Sequence, residues 1–596
     1  MAERISYAVE TYGLLPTSHF GARKQRSAEQ ALVLLQEHIY RAWRIRKVLS
    51  LVNGHDSEVH SLPQAGLPQG SPLSPVLFLF FNADLVQHQI DEDGGALAFV
   101  DDYTAWVTGP SREANRQGIQ AIIDRALDWE RRSGATFEAD KTAIIHFTRN
   151  WRRPEDYATF DINGDTVRLT DRVKILGVVM DSKLRFTQHL AGAATKGLEA
   201  VLELRRLKGL SPSPARQLFV AAVAPTMDYA SNMSAISRVQ RIGAQAIVGT
   251  FNSVVTAVAE AEAGIQSVQE RFDRKAIKFW ARLRTLPQSH PLRRIKTNKC
   301  KRHISPFQKM AAAYRDLPLD ILENISAFSL PPWKNRVQTV AEDDGDELSA
   351  AIKTGWAARA AIATSAKNDI VGYGRALHLS RSHTGGGFTT TEQRTAGPRM
   401  EQNPFTAELA AMATALDSLA ERVRHLVIYL FSSSKAAVSA VSRPRQQSGQ
   451  QEIWRIYEAI NVLKNRGNRV SLFWLPAGVK SKVMKEAKAA AKESTRQGET
   501  ARKRPTRAYS TALGNALQRA QAINRRLPEG VGNFSKKVDA ALPGIHMRQL
   551  YDDLSRKQAS VLAQLRTGMA RLNWYLHQMG AVATDQCTCG QATETV

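Results

Sequence analysis

The pattern of apolar and polar positions divides the chain into segments of different character. Residues 1–190 mix short strand-like apolar runs with helices and several Gly/Pro turns, whereas residues 190–285 are Ala-rich and follow a helical period. Within that helical stretch, one predicted face carries Leu198, Val201, Leu202 and Leu204. Residues 355–497 alternate strand-like and helix-like segments, a pattern typical of an α/β domain. The pattern therefore predicts a multidomain chain of α/β and α+β type.

Two adjacent carboxylates, Asp101 and Asp102, stand between runs 96–100 and 103–107, which are rich in apolar, aromatic and β-branched residues. This arrangement predicts a β-hairpin with both carboxylates at its two-residue tip. One interpretation is an ordinary turn, since Asp favours turns. The other is a metal site, because carboxylate oxygens bind Mg²⁺, and polymerases use two such ions about 4 Å apart to activate a 3′-hydroxyl.

A Gly/Pro-rich turn precedes this hairpin, from Gly66 to Pro72. Glycine lets the backbone approach a ligand closely, so the turn suits contact with a nucleic-acid template and an incoming nucleotide. After it, Ser74 is expected to cap a helix that has Pro75 at its first position and runs to about Ile90. This helix is predicted to bury its apolar face under the hairpin.

Two further features follow the hairpin. A tight turn that begins at Gly134 leads to Lys141, which is suited to neutralise or protonate a departing pyrophosphate. Leu176 and Gly177 then lie in an apolar strand pair, Val173–Met180, which is suited to contact a primer backbone.

In order and spacing, these segments resemble motifs B, C, D and E of a reverse transcriptase, and their flanks resemble the non-LTR, LINE-type retrotransposon enzymes of fungi. The resemblance implies the fingers and palm of a right-hand polymerase over residues 1–190, a helical thumb over 191–285 and RNA-directed DNA synthesis. Asp101 and Asp102 would hold Mg²⁺ or Mn²⁺, and the implied partners are an RNA template, a DNA primer or target, and dNTPs. The resemblance assigns the template and dNTP pocket to Gly66, Pro68, Gln69, Gly70 and Phe99.

The third carboxylate of a two-metal polymerase, which belongs to motif A in the family, has no match here. Residues 48–52 look like the start of that strand, but they run straight into Asn53 and the next turn. Asp56 and Glu58 are the nearby acids, and Asp56 is either a substitute ligand or an ordinary turn residue. We therefore expect a truncated or internally deleted copy, or mis-joined exons, with impaired polymerase activity. The alternative is a non-catalytic nucleic-acid-binding remnant.

The segment 355–497 resembles the ribonuclease H domain that often follows a LINE-type polymerase. That enzyme needs clustered carboxylates for two metal ions. Here Glu408 is the one residual acid, Ala363 stands where the family has Asp, and Ser433 occupies the third acidic position. The sequence therefore predicts a mixed-sheet ribonuclease H-like fold without its chemistry.

Composition bears on the partners and the compartment. The 596 residues include 81 Lys+Arg and 56 Asp+Glu, a net charge of +25, which favours a polyanionic partner. Three cysteines and no apolar run of about 18 residues exclude a disulfide scaffold and a membrane span, so we expect a location in the nucleus or cytoplasm. Cys587 and Cys589 supply two ligands where zinc needs four, so no zinc is expected. A linker is predicted at 286–354 and a basic helical region at 498–596.

Overall fold

The computed structural model describes residues 1–55, 67–68, 70–87, 90, 92–135, 137, 139–149, 158–207, 209–228, 233–297, 302–317, 319, 321–340, 345–353, 357–379, 388–501, 506–524 and 526–596. Its strands are β1 Val48–His55, β2 Gly95–Phe99, β3 Asp102–Gly109, β4 Ala143–Phe147, β5 Thr159–Ile162, β6 Asp165–Thr170, β7 Arg172–Ile175, β8 Val178–Asp181, β9 Gln338–Val340, β10 Ala357–Lys367, β11 Ile370–Leu379, β12 Phe388–Pro398, β13 Val427–Ser432 and β14 Arg469–Trp474.

The α-helices are α1 Ala2–Tyr12, α2 Ala28–Arg44, α3 Ser74–Phe81, α4 Ala83–Gln87, α5 Arg112–Ser133, α6 Thr187–Arg206, α7 Pro212–Leu218, α8 Ala224–Asp228, α9 Met233–Val248, α10 Thr256–Ala263, α11 Val268–Thr285, α12 Pro291–Arg294, α13 Pro306–Ala313, α14 Gly345–Lys353, α15 Pro404–Arg422, α16 Lys435–Ser442, α17 Gln450–Asn465, α18 Lys482–Glu493, α19 Tyr509–Asn524, α20 Asn533–Val538, α21 His546–Asp552, α22 Arg556–Thr567 and α23 Asn573–Gln578. A 3₁₀ turn covers Ala139–Lys141, and a π-helical turn covers Phe219–Val223. Among the described helices, none is both long enough and apolar enough to cross a bilayer.

The chain forms two compact units, each built from non-consecutive segments. Unit 1 comprises Met1–Thr142, Phe160–Val167 and Lys278–Ala516. Unit 2 comprises Ala143–Thr159, Arg168–Ile277 and Leu517–Val596. The sequence predicted consecutive domains, so the grouping of the last 80 residues with the helices after residue 168 is a feature that the pattern did not indicate.

In unit 1, strands β1, β2 and β3 lie side by side in the order β2-β3-β1 and are antiparallel. β3 is buried along most of its length because it is the middle strand and α5 packs against it. The apolar face of α5 contributes buried Ile119, Ile122 and Trp129. Ser111 caps α5 by accepting a hydrogen bond from the backbone N–H of Ala114, and Gly134 ends the helix in the left-handed conformation.

Unit 1 also contains a six-stranded sheet in the order β12-β11-β10-β13-β14-β9. β10, β11 and β12 are antiparallel neighbours, whereas β13 and β14 continue the sheet in parallel with β10. Successive residues of β10 belong to apolar clusters on opposite faces of the sheet. Ile362 lies in the cluster that includes α15 and α17, and Ala363 lies in the cluster that includes α14 and α18. Helices therefore cover both faces, as the alternating pattern predicts. The edge strand β9 and helix α14 were not predicted.

Unit 2 has a helical core in which α6–α10 and the start of α11 pack with α21 and α22. Buried ion pairs connect these helices. The Arg271 guanidinium binds Asp228 through two nitrogens at 2.9 and 3.0 Å, and the Arg566 guanidinium binds the buried Glu262 at 2.9 Å. On α6, the predicted face is partly wrong, because Val201 and Leu204 are buried but Leu202 is 38% exposed.

Candidate active site

The predicted Asp-Asp hairpin is present, with its turn shifted by one residue. Phe99 on β2 pairs with Asp102 on β3, so the turn residues are Val100 and Asp101. Asp101 is exposed, and Asp102 is half-buried as the first residue of β3. Val100 has a φ of 60°, in the left-handed region that a β-branched residue rarely adopts. The turn that presents the carboxylates is therefore strained and needs support from its neighbours.

That support comes from Asn82, directly after α3, and from Gly21. The Asn82 side-chain amide donates a 2.9 Å hydrogen bond to the Val100 carbonyl, and Asn82 is 3% exposed. A Cβ at Gly21 would lie 2.5 Å from both the backbone nitrogen and the Cγ2 atom of Val100, so only glycine allows this approach. His19 is fully buried nearby, and burial, with the charge of Arg23, lowers its pKa to about 4.

The outer edge of β2 is covered by the segment that carries His19 and Gly21. The Phe20 N–H donates to the Ala98 carbonyl at 2.9 Å, and the Ala98 N–H donates to the Ser18 carbonyl at 3.3 Å. The hairpin is thus held on one side by a short segment that forms a single parallel bridge, between His19 and Ala98. Sequence reasoning missed this segment, because its partner lies almost 80 residues away and no local pattern marks it.

On the other side, β3 pairs with β1 over eight residues, Val48–His55. The residue opposite Asp102 is His55, and the Thr104 hydroxyl donates to the Asn53 side-chain oxygen at 2.7 Å. The sequence interpretation that Asn53 opens a turn is wrong, since the strand continues through it. No acidic residue occurs in Val48–His55. Asp56 and Glu58 lie outside the described residues.

The Gly/Pro turn before α3 is described in part. Gly66 and Gln69 lie outside the described residues, whereas Leu67, Pro68 and Gly70 are described, with Gly70 at a φ of 88°. Ser74 does not act as the predicted N-cap. It is the first residue of α3, and its hydroxyl donates to the Pro68 carbonyl at 2.8 Å.

Helix α3 itself also departs from the prediction. It ends at Phe81, and the separate short helix α4 follows, so no single helix runs to Ile90. Its buried residues are Val76 and Leu79, whereas Leu77, Phe80 and Phe81 are exposed. The predicted apolar face is therefore only half covered.

Lys141 lies at the end of the 3₁₀ turn that follows Gly134 and is exposed. This loop is anchored by Glu130, whose carboxylate accepts hydrogen bonds from the Phe137 N–H at 2.9 Å and from the Asn163 side chain at 3.0 Å. The Phe137 ring and the Thr142 hydroxyl both face Gly54 on β1. The fold thus brings the residue after Lys141 against the strand next to the Asp-Asp hairpin.

In unit 2, Leu176 and Gly177 form the two-residue turn between the antiparallel strands β7 and β8. Both have left-handed φ values, 47° and 81°. Val173 and Met180 are buried, so the predicted apolar strand pair is present. The predicted contact of Leu176 and Gly177 with a primer stays a prediction.

Glu408 lies in the first half of α15, completely buried. Its Oε1 atom accepts hydrogen bonds from the Ser432 hydroxyl at 2.7 Å and from the backbone N–H and hydroxyl of Ser433 at 3.0 and 3.1 Å. Burial raises the pKa of this carboxyl, and the hydrogen bonds from Ser432, Thr364 and Ser433 oppose the rise. The residue of β10 that reaches Glu408 is therefore Thr364, not the expected Ala363, which packs in the cluster on the opposite face.

The segment that contains β1, the Gly/Pro turn, the hairpin and Lys141 matches the family described as "Reverse transcriptase (RNA-dependent DNA polymerase)" over residues 27–180. Residues 27–180 form a reverse transcriptase domain.

Two relatives of the chain come from mobile elements of the fruit fly. The chain is 31% identical over 144 residues to the "RNA-directed DNA polymerase from mobile element jockey" of Drosophila melanogaster. This match covers 23% of this chain and 15% of that protein. It is 26% identical over 266 residues to the "Probable RNA-directed DNA polymerase from transposon BS" of the same species. This match covers 40% of this chain and 29% of that protein. The chain thus spans less than a third of either relative. The fungal type stays a prediction.

Among solved structures, the chain is similar to RNase H1 from the archaeon Halobacterium salinarum, with 18% identity and a TM-score of 0.18, over 23% of this chain and 96% of that one. It is also similar to the PFV RNase H domain, with 10% identity and a TM-score of 0.19, over 24% of this chain and 93% of that one.

The reverse transcriptase domain offers Asp101 and Asp102 as donors of the oxygen type that Mg²⁺ and Mn²⁺ prefer. Within the described part of the chain, however, no group of three or more His, Cys, Asp or Glu side chains comes together. The described residues therefore do not complete a two-ion site. The residues that sequence reasoning missed are Asn82 and Gly21, and only the position of Asn82 at the end of an apolar helix gave any signal.

Proposed function

We propose that the chain is the polymerase portion of a non-LTR transposable element, that it binds an RNA template and a DNA primer, and that its nucleotidyl transfer is impaired. The domain match, the relatives and the Asp101-Asp102 hairpin support the polymerase assignment. In this proposal Asp101 and Asp102 bind the divalent cation. Phe99, Pro68 and Gly70, with Gly66 and Gln69, form the template and dNTP pocket.

The observation that carries the impairment is the pairing of His55 with Asp102. A two-metal site needs a carboxylate from the strand beside the hairpin, because two adjacent carboxylates cannot bridge both ions alone. β1 is that neighbouring strand, and its sequence from Val48 to His55 contains no acid. In this proposal Lys141 would neutralise a developing pyrophosphate, but the site that binds the metal ions and the substrate would be incomplete.

The experiment is primer extension on poly(rA) with Mg²⁺ or Mn²⁺. The wild-type chain is compared with His55→Asp, which introduces a carboxylate opposite Asp102, and with His55→Asn, which has a similar size and no charge. We expect little extension by wild type and His55→Asn and a gain in His55→Asp that the added change Asp102→Ala abolishes. Robust wild-type extension that Asp101→Ala with Asp102→Ala removes would contradict the impairment. An Asp56→Asn variant then shows whether Asp56 supplies the third ligand.

The second candidate function is that of a nucleic-acid-binding remnant. It is favoured by Glu408, whose buried carboxylate accepts hydrogen bonds from the hydroxyl groups of Ser432 and Ser433. We infer that residues 355–497 are ribonuclease H-like in strand order and have no hydrolytic chemistry, since one buried carboxylate cannot hold two ions. A remnant would bind RNA, as the net charge of +25 favours, without extending a primer in any of these variants. Genomic sequence across the codons of Val52 and Asn53 would show whether a segment has been lost there.

A further inference from the structure

Unit 2 contains a cavity of about 520 Å³. It lies between the end of α10, the loop 264–267, the first turns of α11 and two C-terminal segments around residues 521–528 and 543–548. Its volume falls in the range of about 300–1,000 Å³ that is typical of sites for small organic ligands. The cavity is therefore large enough for a nucleotide and much larger than an inorganic anion needs.

Three arginine residues line the cavity, Arg274, Arg526 and Arg548. The Arg548 Nε atom donates to the Gly264 carbonyl at 3.1 Å, which holds that side chain against the wall. Neither Arg274 nor Arg526 forms an ion pair with any residue that the structure describes. Guanidinium groups bind phosphate oxygens with well-defined geometry, so two uncommitted ones in a concave site favour a phosphate-bearing ligand.

The N-terminus of α11 adds to the positive potential of the same cavity. Ser267 caps this 18-residue helix by accepting a 3.1 Å hydrogen bond from the Glu270 N–H, and both residues line the cavity. Backbone N–H groups and the positive end of the helix dipole at this position stabilise anions. The Glu270 carboxylate is already bound to the Gln266 side chain at 2.7 Å.

The remaining walls suit the organic part of a nucleotide. Glu260 is 8% exposed, and burial raises the pKa of its carboxyl to about 7, so near neutral pH this group can donate as well as accept a hydrogen bond. Such a group can bind the polar edge of a nucleobase. The apolar part of the wall consists of Ala257, Ala261, Ile265, Leu527, Pro528, Pro543 and Ile545.

We propose that this cavity binds a single nucleotide unit, with its phosphate on Arg274 and Arg526 and its base against the apolar wall. The nucleotide has two possible sources, a free nucleoside monophosphate or the 5′-phosphorylated end of a single strand. Neither source requires an active polymerase, so the inference does not depend on the proposed function.

The test uses the full chain and adenosine 5′-monophosphate, with binding measured by calorimetry. Adenosine, inorganic phosphate and O-phosphoserine are the comparison ligands. Arg274→Gln with Arg526→Gln removes the two charges, and Arg238→Gln is the matched control, because Arg238 is exposed on α9 and does not line the cavity. Asp101→Asn with Asp102→Asn excludes binding at the polymerase hairpin. Circular dichroism verifies the folding of each variant.

We expect the double arginine variant to weaken adenosine monophosphate binding by about tenfold or more, since charged hydrogen bonds are lost. Arg274→Lys with Arg526→Lys, which keeps both charges, should weaken it less. Arg238→Gln and the aspartate variant should bind as wild type does. On illumination, the 8-azido derivative of adenosine monophosphate should label peptides from residues 257–274 or 526–548. If a 5′-phosphorylated pentanucleotide binds more tightly than the monophosphate, the strand end is the source of the nucleotide. If the monophosphate binds more tightly, the source is the free nucleotide.

Results of three kinds would overturn the proposal. The first kind concerns adenosine monophosphate itself: either no binding at millimolar concentration or unchanged binding in the folded double arginine variant. The second is equal affinity for inorganic phosphate or O-phosphoserine, which would show that the base contributes nothing. The third is photolabelling confined to peptides outside the cavity.

Discussion

The side-chain amide of Asn82 donates a 2.9 Å hydrogen bond to the carbonyl oxygen of Val100 and so connects the end of α3 to the turn that carries Asp101. Val100 has a φ of 60°, a conformation that costs about 1–2 kcal/mol for a residue with a side chain. The bond therefore holds a strained turn beside the two carboxylates. It relates the Gly/Pro turn and α3 to the hairpin through one side chain.

Asn82→Ala should destabilise the reverse transcriptase domain by about 1–3 kcal/mol, because a buried hydrogen bond is lost and the strained turn is released. Urea unfolding measures the change, and hydrogen exchange over residues 98–103 should rise. Asn515→Ala is the control, because its amide donates a similar 3.0 Å bond to a carbonyl but is exposed. Equal effects of the two changes would show that the bond to Val100 has no special role.

Gly21→Ala should also displace the turn, because its Cβ would lie 2.5 Å from the Val100 nitrogen and Cγ2. Close overlaps of this kind in a packed site typically cost about 1–3 kcal/mol. Gly478→Ala is a fair comparison, since nothing lies within 4 Å of a Cβ there. Thermal unfolding of both variants checks the prediction, which fails if Gly21→Ala is as stable as Gly478→Ala.

Stability should depend on pH through Glu260 in unit 2. Burial raises its pKa to about 7, so the folded state keeps a proton that the unfolded chain releases above its ordinary value of 4.5. The contribution of Glu260 to the free energy of unfolding is therefore fully present below about pH 4.5. It falls as pH rises and reaches its minimum above about pH 7. The loss amounts to at most about 3 kcal/mol.

Glu260→Gln tests this prediction, since it removes the titration and keeps the shape. The variant should gain stability relative to wild type as pH rises from 5 to 8, measured by denaturant unfolding. Glu529→Gln, an exposed position in the same unit, should show no such trend. The prediction is wrong if the Glu260→Gln difference is constant with pH.

Glu408 is expected to act in structure and not in hydrolysis. Glu408→Ala should destabilise unit 1 by about 2 kcal/mol or more, because Ser432 and Ser433 lose their shared acceptor in a fully buried site. Glu408→Gln retains an acceptor oxygen and should cost less. The wild-type chain should leave the RNA strand of an RNA–DNA hybrid intact in Mg²⁺. Cleavage that Glu408→Ala abolishes would refute this assignment.

The basic segment at α12 is predicted to contact phosphates. Arg294 and Lys296 are exposed, and their joint replacement by glutamine should weaken binding to all RNA sequences alike. The negative slope of log K against log salt should decrease in magnitude by about 0.7 for each lost contact to a single strand. Arg131→Gln with Arg132→Gln is the matched control, because both arginines are exposed and already paired with Asp128. An unchanged slope after the α12 changes would remove the proposal.

Local patterns predicted several of the strands and helices, and long-range pairing explains part of what they missed. The hairpin around Asp101, the strand pair around Leu176-Gly177 and strands β10, β11, β13 and β14 follow from apolar runs and turn residues, whereas β12 was not predicted. The sequence could not show that β1 continues through Asn53, because Thr104, some 50 residues later, supplies the bond that keeps it extended.

The misassignment of Ala363 has a different cause. A shift of one residue along a strand moves a side chain to the other face, and a run of small residues in β10 leaves the register without a clear marker. The alternation observed in the structure assigns Thr364 to the face of Glu408. The neighbour of Glu408 on β10 is therefore Thr364, one position after the residue that the sequence interpretation named.

The strand-like segment Ser18–Phe20 bears on how a shortened chain would behave in solution. It occupies hydrogen-bonding groups on the outer side of β2, at Ala98. A chain that lacks its first 21 residues would present those groups as an open edge, and open edges recruit strands from other molecules. Such a truncation would self-associate, so the N-terminal residues protect the sheet that carries the carboxylates from pairing with other molecules.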